Sequence, residues 1–212
     1  RNIKFPADLY LEGSDQYRGW FNSSLILATA TQDVAPFKNI VTHGWVVDEN
    51  WEKMSKSKGN GIDPSKVANQ FGADILRLWA STIDYQQDVR ISESIVAQVA
   101  EIYRKIRNTF KFMLGNLNRG NDEYFTEKDI VKEYSFVDKF ILAKLEDVKN
   151  KVISYMNTYD FAKAMSEMLS FLSFDLSSFY LDITKDILYC EAKDSLRRNQ
   201  VQSVIYICLT TM

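Results

Sequence analysis

The sequence predicts an α/β segment followed by an all-α segment: a parallel βαβ unit joined to an antiparallel α-helical bundle. Three observations carry this. Pro6, Pro36, Pro64 and six of the eight glycines fall in the first 72 residues, while the last 92 contain neither residue. In the first part short apolar runs alternate with turn residues, the rhythm of strands and helices in succession. Beyond about Ser92, apolar residues recur every three or four positions over long stretches, as on amphipathic helices.

The elements follow in order. Ala7 to Glu12 alternates apolar and polar residues as a strand does, and Gly13-Ser14-Asp15 supplies a turn and a helix cap. A helix then runs through Trp20, Phe21, Ser24, Leu25 and Ala28. After Pro36 the β-branched run Ile40-Val41-Thr42, resuming at Trp45-Val46-Val47, reads as a second strand, parallel to the first through a right-handed crossover. A Lys-, Ser- and Gly-rich loop covers 53–61. Asp63-Pro64 opens a short helix, and Ala73 to Ala80 forms another.

The helical part begins with Ile95, Val99, Ile102, Ile106, Phe110, Met113 and Leu117 on one face, ending near Gly120. After a Ser135-x-x-Asp138 capping signal, Val137, Ile141, Leu145, Val148, Val152 and Tyr155 make a second stripe. Phe161, Met165, Met168, Leu172, Leu176, Phe179 and Ile183 make a third. Val201, Val204 and Cys208 begin a fourth. Short connections between long helices argue for antiparallel neighbours.

Composition narrows the function. With 26 basic and 28 acidic residues the formal charge is −2, so any nucleic-acid contact must come from a local patch rather than global attraction. No apolar run approaches the roughly 18 residues of a membrane span, and no signal peptide is visible. The two cysteines, Cys190 and Cys208, and the single histidine, His43, do not have zinc-cluster spacing. Unpaired thiols point to a reducing compartment. The chain starts at Arg1 without Met and ends in an apolar run, which reads as a piece of a longer protein.

Two constellations carry chemistry. Lys53-Met54-Ser55-Lys56-Ser57-Lys58-Gly59-Asn60 places three ammonium groups within six residues, with hydroxyls between and glycines behind. Such a loop can close over a polyphosphate and neutralise charge developing on a leaving group; it can equally be a solvated basic turn. No GxxxxGK[ST] or complete GxGxxG motif is present. The second is Glu12-Gly13-Ser14-Asp15-Gln16, at the carboxyl end of a strand and the start of a helix, where α/β sheets bind ligands. The turn suits an amine, a ribose or a phosphate, or is simply capped. His43 ends the next strand beside Gly44, so both strand ends and the lysine loop are expected to share one crevice.

At these residues the chain resembles a known family. Lys53 to Ser57 is the KMSKS signature of class I aminoacyl-tRNA synthetases, and Tyr10-Leu11-Glu12-Gly13-Ser14-Asp15-Gln16-Tyr17-Arg18-Gly19-Trp20-Phe21 is similar to the isoleucine-specific branch. Thr42-His43-Gly44, the stretch Gly72 to Trp79, Tyr103 to Thr109 and Phe179 to Asp182 extend the likeness over nearly the whole chain. The resemblance implies the second half of a Rossmann-like nucleotide-binding fold over 1–91, followed by an anticodon-binding helical domain over 92–212, truncated at its C-terminus. It implies activation of isoleucine by ATP, with Mg2+, to the adenylate, and transfer to tRNA(Ile) in the cytoplasm. Isoleucine and ATP are the small-molecule partners; membrane and DNA are not, and the parent is expected to be monomeric.

Site roles are carried over position by position. Glu12, Gly13, Asp15 and Gln16 hold the aminoacyl-adenylate, with Glu12 and Asp15 toward the amino group and ribose. His43 borders the adenine, and Trp20 walls the amino-acid pocket. Lys53 and Lys56 are the catalytic lysines of the loop formed with Met54, Ser55 and Ser57, stabilising the pyrophosphate. Arg104, Arg107 and Lys111, with Asn108 beside them, form a basic ridge opposite the first apolar stripe, suited to tRNA phosphates or to solvent.

Departures from the family pattern bound these expectations. Tyr17 stands where many members have His, and Trp45 where Phe is expected. The second signature, HIGH, needs two histidines, and the chain has one. It belongs upstream, with the editing domain; a zinc site belongs to a tail beyond Met212, so no metal site is expected within the chain. One methylene separates isoleucine from valine, worth about 1–3 kcal/mol in a pocket, so a distinct hydrolytic site is needed elsewhere. The chain alone is thus expected to be inactive. The alternatives are a tRNA-binding module without catalysis and a helical interaction domain with an incidental lysine loop.

Overall fold

Residues 4–55, 58–120 and 123–212 are described by the computed structural model. It falls into two units, one made of Arg1–Leu76 with Ile83–Val96 and the other of Arg77–Thr82 with Ala97–Met212.

In the first unit, β1 (Ala7–Gly13) and β2 (Phe37–His43) lie parallel, with α1 (Trp20–Gln32) between them in sequence. This is the expected βαβ unit. The register runs from Ala7 opposite Phe37 to Gly13 opposite His43, so both strands end at the same level. Tyr10 anchors α1 to the sheet: its ring stacks on Trp20 at 4.2 Å and touches Phe21 and Phe37. Phe21, Val41, Val47, Val67 and Ile75 are buried.

The second strand does not resume after Gly44 as the β-branched pattern predicts. β3 (Val46–Val47) belongs to a separate ladder, parallel to β4 (Val89–Arg90). The cause is the 84–88 loop. Gly44 N donates to Tyr85 O at 2.8 Å, Trp45 N donates to Asp88 Oδ1 at 2.7 Å, and a Cβ on Gly44 would meet Gln87 O at 2.3 Å. A glycine is required where two backbones approach so closely. Two helices follow as expected. α2 (Pro64–Phe71) is capped by Asp63, whose Oδ1 accepts from Ser65 N, and α3 (Ala73–Thr82) starts beyond Gly72 at φ +100°.

α4 (Glu93–Leu117) buries Val99, Met113 and Leu117 of its predicted stripe and half-buries Ile95, Ile102, Ile106 and Phe110, while Val96 and Ala100, outside that stripe, are buried as well. In the second unit the 118–124 segment forms a small antiparallel ladder, β5 (Asn118–Gly120) with β6 (Glu123–Tyr124), which the sequence pattern had not indicated. α5 (Phe136–Asn157) starts at the expected capping box and packs against α6 (Phe161–Ser170), the following segment Phe171–Leu181, and α8 (Leu196–Thr211). Met113, Ile141, Leu176, Tyr180, Val204 and Ile205 lie at the centre of its core.

The third predicted stripe is only half right. Past Ser170 the helix widens to a π-helix over Phe171–Leu181, and a separate short helix, α7 (Lys185–Cys190), follows. An i→i+5 turn holds more residues than an α turn, so the buried face slips along the sequence. Tyr180 and Leu181 are buried while Phe179 and Ile183, expected in the core, are exposed.

Candidate functional site

The parallel register brings the two sequence-predicted strand ends together. Gly13 pairs with His43 and Glu12 with Thr42, and a Cβ on Gly13 would lie 3.7 Å from His43 Cε1. The same Cβ would meet Asp15 Oδ1 at 2.6 Å. Gly13 therefore lets the Asp15 carboxylate fold back over the turn. Glu12, Asp15 and His43 are exposed at this rim. The His43 Nδ1 lies 2.8 Å from Gly44 O, and a carbonyl can only accept, so in the neutral ring Nδ1 carries the proton and Nε2 is an acceptor.

Gln16 does structural work. Its Oε1 accepts from Trp20 N at 2.9 Å, satisfying a donor in the first turn of α1, and leaves the side-chain amide to other partners. Trp20 keeps one face on Tyr10 and remains 46% exposed, so the other face is available as a wall.

Next to the strand ends is a cleft of about 720 Å3 lined by Ser14, His43, Gly44, Trp45, Trp51 and Asp88. The lysine loop touches one wall of it: the Lys53 ammonium stands 4.1 Å from the ring centre of Trp45. Cation and ring attract through the ring's quadrupole, so Trp45 gives Lys53 a resting place. Ser55 N donates to Asn60 Oδ1 at 3.0 Å, Met54 is half-buried, and Lys58 pairs with Glu52 at 3.0 Å. Lys56 and Ser57 lie outside the described residues.

Sequence reasoning passed over Asp48, Trp51 and Asp88. Asp48 accepts from the Asn60 side chain and from the backbone of Glu52 and Asn50, which together hold its carboxyl below the usual carboxylate range against the opposing effect of burial. The Asp48-x-Asn50-x-Glu52 turn pattern, before a basic loop that ends in Asn60, was the available signal.

On α4, Arg104, Arg107, Asn108 and Lys111 are all exposed, as the periodicity predicts. Arg104 is engaged by Glu101 one turn away. Arg107 and Lys111 have no ion-pair partner among the described residues and border a groove of about 710 Å3 with Tyr103, Phe110, Leu114 and Tyr124. Cations beside aromatic faces suit a phosphate backbone with stacked bases. Among the described residues no group of three or more His, Cys, Asp or Glu could hold a metal ion. Burial pushes the Cys208 thiol up to about 12, which makes it a core residue rather than a nucleophile.

Comparison with known proteins adds family evidence. Residues 1–92 match the family model for class I tRNA synthetases (I, L, M and V), and residues 138–212 match that for the anticodon-binding domain of tRNA ligases. The isoleucine–tRNA ligase of Bacillus mycoides (strain KBAB4) is 53% identical over 211 residues, covering 100% of this chain and 23% of the relative. That of Geobacillus kaustophilus (strain HTA426) is 55% identical over 203 residues, or 95% and 22%. The chain thus spans about a quarter of the length of the curated relatives it matches. Among solved structures, methionyl-tRNA synthetase of Mycobacterium tuberculosis in complex with methionyl-adenylate superposes with a TM-score of 0.77 at 19% identity, over 97% of this chain and 40% of that one. The agnB2 LeuRS–tRNA–LeuAMS complex of Agrobacterium radiobacter K84 gives 0.70 at 21% identity, over 96% and 24%. At these identities the likeness is one of fold.

Proposed function

The chain belongs to the class I tRNA synthetases, and from that membership we propose that it is the part of an isoleucine–tRNA ligase that carries the lysine loop and the anticodon-binding helices. The supporting observation is the common level of the two strand ends, with Gly13 beside His43 and Lys53 held over Trp45 at the same cleft. Residues 1–91 contribute to the catalytic domain, the second half of a Rossmann-like fold, and 92–212 form the helical domain, with its helices antiparallel.

In the proposed reaction the isoleucine carboxylate attacks the α-phosphorus of Mg-bound ATP, pyrophosphate leaves, and the acyl group passes to a ribose hydroxyl of tRNA(Ile). Glu12 and Asp15 supply carboxylates to the substrate ammonium group and the ribose, where charge-assisted hydrogen bonds are strongest. Gly13 allows close approach, and the Gln16 amide is left to donate. His43 Nε2 accepts from the adenine amine. The outer face of Trp20 packs on the isoleucine side chain. Lys53 and Lys56 neutralise the negative charge that grows on the departing pyrophosphate. Arg104, Arg107 and Lys111 contact tRNA phosphates, in a cytoplasmic protein.

Residues 1–212 by themselves do not form the adenylate on this reading, because a site built with HIGH needs two histidines and these residues hold one. The free Arg107–Lys111 groove favours tRNA binding as the activity left to them. Isoleucine-dependent exchange of labelled pyrophosphate into ATP tests both statements. The full-length protein should exchange, best with isoleucine against valine and leucine, and residues 1–212 should not. Preference for another amino acid would refute the specificity, and exchange by the short chain would refute the incomplete site.

A further inference from the structure

We propose that Asp48 and Asn60 are positioning residues for the lysine loop, clasping the chain before it to the chain after it and so fixing where Lys53 and Ser55 stand toward ATP. The proposal rests on Lys53 being a phosphate-facing residue. One carboxylate and one amide do the clasping. Asp48 Oδ1 accepts from the backbone N–H of Asn50 and of Glu52, each at 2.9 Å, which ties the turn that leads into the loop. Asp48 Oδ2 accepts from Asn60 Nδ2 at 2.7 Å, across 12 residues of sequence. Asn60 in turn accepts from Ser55 N at 3.0 Å, and its Nδ2 lies 3.5 Å from Lys53 O. The main chain of Lys53 and Ser55 is thereby gripped from the far side of the loop.

The Val47–Lys53 bridge and the Asp48 N–Glu52 O bond hold the entry to the loop but do not reach its exit at Asn60, and the neighbouring side-chain contacts do not replace that link. The Lys58–Glu52 pair has both side chains more than half exposed, where an ion pair contributes little. Lys53 over Trp45 is a contact that a polyphosphate would compete away. The clasp, by contrast, is directional: Asp48 can only accept, and Asn60 must donate with its nitrogen while accepting with its oxygen.

That polarity defines the test, made in the full-length enzyme. Asp48→Asn must still accept from the two backbone N–H groups, so its amide faces the Asn60 amide, donor against donor. Asn60→Asp sets carboxylate against carboxylate. When both changes are combined, the amide at 48 donates to the carboxylate at 60, which still accepts from Ser55.

Two steps are read separately: isoleucine-dependent pyrophosphate exchange, and transfer of isoleucine from preformed adenylate to tRNA, in which no pyrophosphate is held. Each single change should lower exchange by roughly tenfold to a hundredfold, as small misplacements of charged groups do. Transfer should stay within about twofold, and the combined variant should recover exchange to within about threefold of the parent. Asn60→Ala, which opens the clasp without a charge clash, should show the same selective loss. Singles that leave exchange intact, a combined variant as poor as the singles, or equal losses in both steps would overturn the proposal. Lys56→Ala run alongside separates the two failures. If it is impaired while the clasp variants are not, only the clasp is wrong; if it too exchanges normally, the assigned role of the loop falls first.

Discussion

Asp138 ties three segments of the helical unit together through Ser135, Tyr180 and Arg197. Its side chain is fully buried, yet both oxygens are occupied: Oδ1 by the Tyr180 hydroxyl at 2.6 Å and by Arg197, Oδ2 by Arg197 and by the Ser135 hydroxyl and N–H. Burial alone would raise its pKa, but the Arg197, Tyr180 and Ser135 hydrogen bonds outweigh it and hold the carboxyl below its ordinary range. A carboxyl lowered in the folded state contributes stability that is complete above its unfolded value of about 3.9 and is lost as pH falls through the folded value. Asp138→Ala should therefore cost about 3 kcal/mol at neutral pH, by leaving Arg197 half-buried without its counter-charge. It should also flatten the acid limb of the unfolding curve. Thermal unfolding followed from pH 7 down to 3 checks both, and an unchanged acid limb would show that Asp138 is not the group being titrated. The sequence disclosed the Ser135–Asp138 cap but gave no sign of Arg197, 59 residues away. Local hydrogen bonds have a spacing that can be read, whereas a partner brought by tertiary packing has none. The candidate site divides the same way. Glu12, Gly13 and His43 were legible because strand ends and turns have local signatures, while Asp48 was hidden inside a turn whose purpose appears only when Asn60 returns to it.

At the scale of elements, period decided what could be seen. α4 and α5 hold one period throughout, and their apolar stripes are the faces that are buried. The Phe161 to Ile183 stripe changes period at Phe171, and a fixed 3.6-residue template therefore misassigns Phe179 and Ile183. α8 shows another limit. Val201 to Ile205 are buried consecutively, including Gln202 and Ser203, so no single stripe describes it. The polar pair has a use: Gln202 Nε2 donates to Asn116 O at 2.7 Å, and Ser203 Oγ accepts from Val131 N at 3.1 Å. Asn116 lies in the last turn of α4, where carbonyls have no partner within the helix. α8 thus supplies a cap to α4. Gln202→Leu keeps the volume but withdraws the donor, leaving a carbonyl without its partner at a cost of about 1–2 kcal/mol. The corresponding drop in unfolding midpoint should be accompanied by faster amide exchange at the C-terminal end of α4; a midpoint equal to that of the parent would mean water serves the carbonyl equally well.

At the scale of the whole chain, the formal charge of −2 over these 212 residues offers a polyanion no general attraction, so the tRNA binding proposed above would have to be concentrated where cations are free. The three basic residues of the α4 ridge are not equivalent in this respect. Arg104 already has Glu101 and must give up that contact to bind a phosphate, whereas Arg107 and Lys111 stand beside aromatic rings with no ion pair to break among the described residues. Each cation that meets a phosphate releases counterions, and its removal lowers the slope of log affinity against log salt by about one. Arg107→Ala and Lys111→Ala should each show close to that full change, together with weaker binding at low salt. Arg104→Ala should show less, because Glu101 already serves as its counter-ion, so fewer condensed ions are released when this guanidinium meets a phosphate. Titration of tRNA(Ile) into the full-length protein across a salt series measures all three on one scale. A common, unaltered slope would place the ridge against solvent, and a larger effect at Arg104 than at Arg107 would mean that the Glu101 pair orients the guanidinium for the phosphate instead of competing with it.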